Sequence, residues 1–386
     1  MVRSVVRTDS GRRPLRDQLI EQIRQEGPMP FEEFQAIALY DPEDGFFGSG
    51  KLRSTKEGDF LTSPEVSPLF GETLAKFVDR IFSSPSEGRG PGEERTGGDG
   101  GRCGAGAAGG GHILVEVGAG SGSLLRPLLA SLEHPVDAWA VEASVAARAA
   151  LGEILPGQDI VSSLDEIPAP FSGVIIANEL LDNLPVSIAV RKGETWEERW
   201  VGVEDGRLVP VPHPARPEVT AWANRFGLPC PEGGRVEVQL AASEWLRRAL
   251  DALVWGAVVV VDYGETAEKL EHRRAEGTLR TYRAHHLGPD PLAEPGETDI
   301  TADVNFSALL AVAEAAGASA EMHRQDEFLA SLGLADRVRG LREQELALAR
   351  DGDPMERLKV RSDRTNAETL MHPRGLGDFR VLIAHK

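Results

Sequence analysis

Leu114-Val115-Glu116-Val117-Gly118-Ala119-Gly120-Ser121-Gly122-Ser123-Leu124 decides how this 386-residue chain folds. Residues 113–117 form a short, largely apolar and β-branched run, the mark of a buried strand. The run breaks into a glycine turn, and 124–132 then carries a helical pattern. A strand–glycine–helix unit lets a ligand approach the backbone closely at a helix N-terminus. The glycines follow G-x-G-x-G, and Ser123 takes the sixth position, where a dinucleotide fingerprint wants glycine or alanine. The spacing leans toward an adenosine-type ligand without a pyrophosphate and away from a nicotinamide-dependent dehydrogenase.

The alternation continues outward. Residues 138–141 read as a second strand ending at Glu142, 144–151 as a helix, and a brief strand falls near Ile160. Residues 174–177 and 257–261 are further buried strands, 302–316 an apolar helix, and 318–323 and 379–384 the closing strands. Alternating strands and helices imply an α/β fold with a parallel sheet covered on both faces. Upstream, Leu15, Leu19, Ile20 and Ile23, then Phe31, Phe34, Ile37 and Ala38, follow helical spacing, and another helix covers 69–82. Between them, residues 40–68 form a polar loop with aromatic anchors, of a length that is usually functional.

Residues 83–111 differ in kind. They hold twelve glycines and no Leu, Ile, Val, Met or aromatic residue, so burial cannot offset the entropy of ordering them. The expected organisation is an N-terminal helical lobe over 1–82 that contributes to the site, then a flexible insert at 83–111. The ligand-binding domain begins at 112–185, an inserted substrate subdomain occupies 186–255, and 256–386 completes the domain.

Composition narrows the function. A net charge of −19 repels phosphate backbones and excludes a general nucleic-acid binder, while it suits a cationic partner. No apolar run approaches the roughly 18 residues of a membrane span. Two cysteines, Cys103 and Cys230, build neither a disulfide framework nor a four-ligand zinc site, and no metal site is expected. With acidic Asp9 and Asp17 among the N-terminal arginines and no apolar secretion segment, the chain reads as cytoplasmic. The six tryptophans read as packing residues.

Candidate site residues follow from the strand ends. A carboxylate at Glu142 can accept hydrogen bonds from both ribose hydroxyls. Asp165, after the third strand, stands where a polar group reaches an adenine amino group; Ser163 or Glu166 would serve equally well. Asn178 and Glu179 leave the fourth strand at the ligand crevice, and Asp182 is expected one helical turn from Glu179 on the same side. Two such carboxylates can hold and orient a cationic nucleophile beside an electrophilic methyl group. Tyr263 follows the buried strand 257–261 at the crevice edge.

These residues resemble the MidA-like family of class I S-adenosylmethionine-dependent methyltransferases, whose mitochondrial members include the arginine methyltransferase of complex I assembly. The glycine turn matches motif I. The likeness extends through Ala38-Leu39-Tyr40-Asp41-Pro42, Gly45-Phe46-Phe47, Gly58-Asp59-Phe60, Thr62-Ser63-Pro64-Glu65 and Phe70-Gly71-Glu72. It continues in Ala177-Asn178-Glu179 to Val186, Val261-Asp262-Tyr263-Gly264, Gly277-Thr278-Leu279-Arg280 with Tyr282, and Asp299-Ile300-Thr301-Ala302. Ala119, Arg126, Asn183 and Asp303 depart from the family pattern without removing a ligand contact.

The resemblance implies a Rossmann-like class I methyltransferase sheet with an N-terminal helical lobe and an inserted subdomain. It implies S-adenosylmethionine as cofactor, held by Glu116, Gly118, Gly120, Gly122, Glu142, Asp165 and Asn178. Glu179 and Asp182 are then the catalytic candidates, with Asp59, Glu65, Glu72 and Tyr263 toward the substrate. The implied acceptor is arginine in a protein, a respiratory complex I subunit in the mitochondrial relatives, and a homodimer is compatible with the family. Two alternatives stay open: a methyltransferase of a small-molecule acceptor, and an assembly factor that binds the cofactor without catalysis.

Overall fold

A computed structural model describes residues 13–48, 62–84, 111–283 and 286–386. Asp59 and most of the glycine-rich stretch lie outside the described residues. Seven strands build a central sheet: β1 (His112–Val117), β2 (Val136–Val141), β3 (Asp159–Val161), β4 (Phe171–Asn178), β5 (Leu253–Asp262), β6 (Ser319–Arg324) and β7 (Arg380–His385). Their order is β3-β2-β1-β4-β5-β7-β6. The five strands from β3 to β5 pair in parallel, and β7 runs antiparallel to both of its neighbours. This is the doubly wound Rossmann-like arrangement, with the last strand inserted between the fifth and the sixth.

Burial on both faces explains the apolar strands. Ala257 through Val261 are fully buried, as a central strand between two helical layers requires. On one face Leu69–Ser83, Leu125–Ser131, Leu334–Asp351 and Pro354–Leu370 contribute to a single core with the sheet. On the other, Leu240–Asp251 and Phe306–Ala315 do the same. Strand order reverses between β1 and β4, and in open α/β sheets that switch point is where a ligand crevice forms. The residues following these two strands are Gly118 and Glu179.

A second sheet sits apart from the first. Thr195–Glu204 pairs with Ser187–Lys192, with Arg207–Pro214 and with the two-residue strand Met29–Pro30, and Arg235–Val238 completes it. The N-terminal lobe thus joins the inserted region in one core, which includes Leu19, Phe34, Ile188 and Val201. Arg216 locks them together: it pairs with buried Glu198 at 2.7 Å and with Glu32 of the N-terminal lobe at 2.9 Å. The small sheet ends at Val238, earlier than the 186–255 expectation. Residues Leu240–Asp251 turn Ala242, Leu246, Ala249 and Leu250 into the main core instead.

The apolar helix expected over 302–316 begins only at Phe306. Asp299–Thr301 is a strand paired with Arg280–Arg283, and the Asn305 side chain caps the helix by accepting from the Ala308 N–H. Among the described residues no helix is long and apolar enough to cross a membrane.

Candidate active site

The glycine turn is built as its spacing demands. Gly118, Gly120 and Gly122 have φ of 77°, 51° and 72°, the left-handed region that favours glycine. The N–H groups of Gly118 and Ala119 both donate to the Val141 carbonyl, tying the turn to the end of β2. A Cβ at Gly122 would meet Leu151 at 3.0 Å. Glu142 closes over the turn: its Oε2 accepts from the Gly120 N–H at 2.9 Å and its Oε1 from the Ser144 N–H at 2.8 Å.

These residues open onto a cavity of about 770 Å³. Its β1–β3 side is lined by Gly118, Gly120, Val141, Glu142, Ser162 and Trp245. An apolar slot, a backbone cradle and one carboxylate suit a flat heterocycle joined to a ribose. Its other side is lined by Tyr40, Phe47, Thr62, Glu179, Asp182, Tyr263 and Asp299, an aromatic and acidic surface.

Glu179 leaves β4 with φ of 50°, an unusual conformation for a non-glycine residue. Its N–H donates to the Val261 carbonyl of β5 at 2.8 Å. Its carboxylate Oε1 accepts from the Ser63 N–H at 3.2 Å and the Asn178 Nδ2 at 3.3 Å, so a segment over a hundred residues upstream helps hold it. Burial, reinforced by the charge of Asp182, pushes Glu179 up to about 8.

Asp182 lies in the 3₁₀ turn Leu181–Asn183, so the two carboxylates do not share a helix face as expected. The left-handed residue turns the chain, and both side chains still reach one cavity. Buried Asp262 holds that turn by accepting from the N–H groups of Leu181 at 2.9 Å and Asp182 at 3.2 Å. The Tyr263 hydroxyl donates to Asp182 Oδ2, while Oδ1 has no hydrogen-bond partner among the described residues. Burial, against the hydrogen bond from Tyr263, raises Asp182 to about 6. Burial and the charges of Asp182 and Glu179 also raise Asp262 well above the carboxylate range.

Several expected residues stand elsewhere. Glu116 is buried in β1 behind the cavity wall, and burial raises its carboxyl well above its usual value. Gly122 and Asn178 sit outside the wall; Asn178 acts on it by holding Glu179. Asp165 is exposed and pairs with Arg248, and the wall at that strand end is made by Ser162 and Ser163. Glu65 lies buried near enough for its charge to raise Glu179, whereas Glu72 is half-buried on Leu69–Ser83 away from the cavity. Tyr263 is in the wall.

Sequence reasoning from spacing missed Tyr40, Phe47 and Asp299, which the family strings contain without any local signal of function. It also missed Trp245, whose helical spacing reads as packing. Among the described residues no three or more potential ligands converge on a metal position.

A Rossmann-like sheet with a glycine cradle, a carboxylate above it and an acidic far wall defines a class I S-adenosyl-L-methionine-dependent methyltransferase. The family profile described by that activity matches residues 105–324, over half of the chain, and the chain belongs to this MidA-like methyltransferase family. It is 26% identical over 417 residues to the mouse protein named protein arginine methyltransferase NDUFAF7, mitochondrial, covering 97% of this chain and 85% of the relative. The Caenorhabditis elegans homologue is 27% identical over 370 residues, covering 84% and 77%. A methyl transferase candidate from Burkholderia thailandensis, crystallised with S-adenosyl-homocysteine, superposes with a TM-score of 0.77 at 29% identity, covering 96% and 92% of the two chains. S-adenosylmethionine is the cofactor.

Proposed function

We propose that this methyltransferase modifies arginine within a protein substrate, and that a respiratory complex I subunit is the first acceptor to examine. The observation that carries the reading is the pairing of half-buried Glu179 with buried Asp182 on the same cavity as the glycine turn. The mitochondrial relatives, named protein arginine methyltransferases, point the same way.

In this reading Gly118, Gly120, Glu142, Val141 and Trp245, which line one side of the cavity, would hold the cofactor, with the Glu142 carboxylate available to its hydroxyl groups. The cofactor, when bound, supplies an electrophilic methyl group on a sulfonium. The chain's own work is alignment and exclusion of water, which can account for about 7–11 kcal/mol of a barrier. A guanidinium has a pKa above about 12, so its nitrogen becomes nucleophilic only as a proton leaves. Glu179 and Asp182 fix the guanidinium by charge-assisted hydrogen bonds, and the carboxylate at Glu179 receives that proton. Tyr263 and Asp262 are positioning residues, one through the Asp182 side chain and the other through its turn.

The test is incubation of the purified protein with methyl-labelled S-adenosylmethionine and an extract of respiratory membranes, followed by acid hydrolysis and amino-acid mass spectrometry. Label in methylarginine is expected. Label confined to lysine or to small molecules, or no label from a protein that binds S-adenosylhomocysteine, would overturn the arginine reading.

A further inference from the structure

We propose that Gln325 is a positioning residue of the acceptor wall: its buried amide fixes Ser63, and through the Ser63 backbone N–H it holds the Glu179 carboxylate in place. The inference rests on the reading of Glu179 as the group that takes the acceptor's proton. Gln325 follows β6 at the turn into Gln325–Ser331 and has no exposed surface. Its own N–H donates to the Phe379 carbonyl at 2.8 Å, one step beyond the β6–β7 ladder that ends at Arg324 and Arg380. Phe379 lines the cavity and packs edge to face on Tyr263, with ring centroids 5.7 Å apart.

The Gln325 side chain joins two further elements. Its Nε2 donates at 3.1 Å to the carbonyl of Leu370, the last residue of Pro354–Leu370. Carbonyls at that end of a helix have no partner within it. The same amide meets the Ser63 Oγ, with Nε2 at 3.2 Å and Oε1 at 3.3 Å. The Leu370 carbonyl fixes which end of the amide is nitrogen, because an oxygen there would face another oxygen. A fully buried amide is costly unless its groups are paired. An apolar side chain would fill the space without that cost, so what the amide supplies is position.

Ser63 is as inaccessible as Gln325, and its neighbour Thr62 lines the cavity. The Ser63 N–H donates to Glu179 Oε1 at 3.2 Å, and the other donor to that oxygen among the described residues is Asn178 Nδ2. Both bonds favour the ionised carboxylate, against the burial that raises Glu179 to about 8. The titratable groups facing Glu179 are carboxyls: Asp182 on the following turn, Glu65 on Ser63–Val66 and Asp262 at the end of β5. Negative charge on any of them opposes its ionisation. The Ser63 N–H is therefore one of few groups on the other side of that balance, and Gln325 sets where it stands.

The experiment is carbon-13 NMR of protein labelled at glutamate Cδ, in saturating S-adenosylhomocysteine, with the Glu179 resonance assigned by its loss in Glu179→Gln. Wild type is compared with Gln325→Leu and with the milder Ser63→Ala, which keeps the backbone N–H and leaves Gln325 on Leu370. In both variants Glu179 should hold its proton about threefold more tightly, so its midpoint moves to higher pH. Methyl transfer at neutral pH should fall by about the same factor, and Gln325→Leu added to Glu179→Gln should cost nothing further. Calorimetry should give S-adenosylhomocysteine affinities within about twofold of wild type, which also reports folding. If Gln325→Leu does not fold, Ser63→Ala decides alone. A Glu179 midpoint that stays put in a variant that binds S-adenosylhomocysteine overturns the proposal, since a packing role would lower the melting temperature without moving that midpoint. A midpoint that rises while transfer is unaffected keeps the tether and removes Glu179 as the proton acceptor, so the two fail separately.

Discussion

The two walls of the central cavity are made in opposite ways. The cofactor wall is local: the glycine turn and Glu142 lie within two consecutive strand ends, joined by the 2.9 Å bond from the Gly120 N–H. The acidic wall is assembled from Tyr40, Thr62, Glu179, Tyr263, Asp299 and Phe379, which span most of the chain. Local geometry is set by backbone conformation, so single residues there act on binding. The assembled wall is set by tertiary packing and by mutual charge, so on the proposed reading residues there act on proton affinity and acceptor placement. Substitutions should therefore separate binding from transfer according to wall.

The largest effect is expected at Gly120. A β-branched side chain at φ of 51° is strained and fills the cradle, so Gly120→Val should weaken S-adenosylhomocysteine by about a hundredfold or more in calorimetry. Across the cavity, Asp182→Asn should lower kcat/KM for methyl transfer about 10²-fold while cofactor affinity holds. If the cofactor is lost with it, the walls are not separable.

Protonation sharpens the comparison further. With Asp182 at about 6 and Glu179 at about 8, kcat/KM should climb as pH rises through both values, and Glu179→Gln should remove the upper limb. Stability runs the other way. Because folding raises the Glu179 pKa, its contribution is present below its usual value of 4.5 and is lost as pH rises through about 8. In ligand-free protein the melting-temperature advantage of Glu179→Gln over wild type should widen from about pH 5 to about pH 9. The smallest effect is expected at Asp165, an exposed residue paired with Arg248: Asp165→Ala should leave cofactor affinity within about twofold.

The same contrast explains what was legible. The strand at 257–261 is continuous and apolar because it is buried on both faces, and its sequence says so. Gly118, Gly120 and Glu142 were readable because strand-end position and positive φ leave a residue-level trace. Helical spacing puts Asp182 beside Glu179 for the wrong reason, since a left-handed residue and a 3₁₀ turn held by Asp262 bring it there. Strand position alone points to Asp165, but that residue is exposed and answers the charge of Arg248 in the cavity lining, while Ser162 and Ser163 line the cavity themselves. Joining of Met29–Pro30 to Thr195–Glu204 has no local signature, because strand pairing across such a separation depends on the completed core.

One substitution bears on the whole arrangement. Glu179→Gln keeps the size and the hydrogen-bonding acceptor of the side chain but cannot take up a proton or carry charge. Measured together, methyl transfer to an arginine-containing protein should fall at least about a hundredfold, while S-adenosylhomocysteine affinity stays within about threefold of wild type. Transfer that persists in this variant, or cofactor affinity that collapses with it, would contradict a cavity with one wall for the cofactor and another for the acceptor.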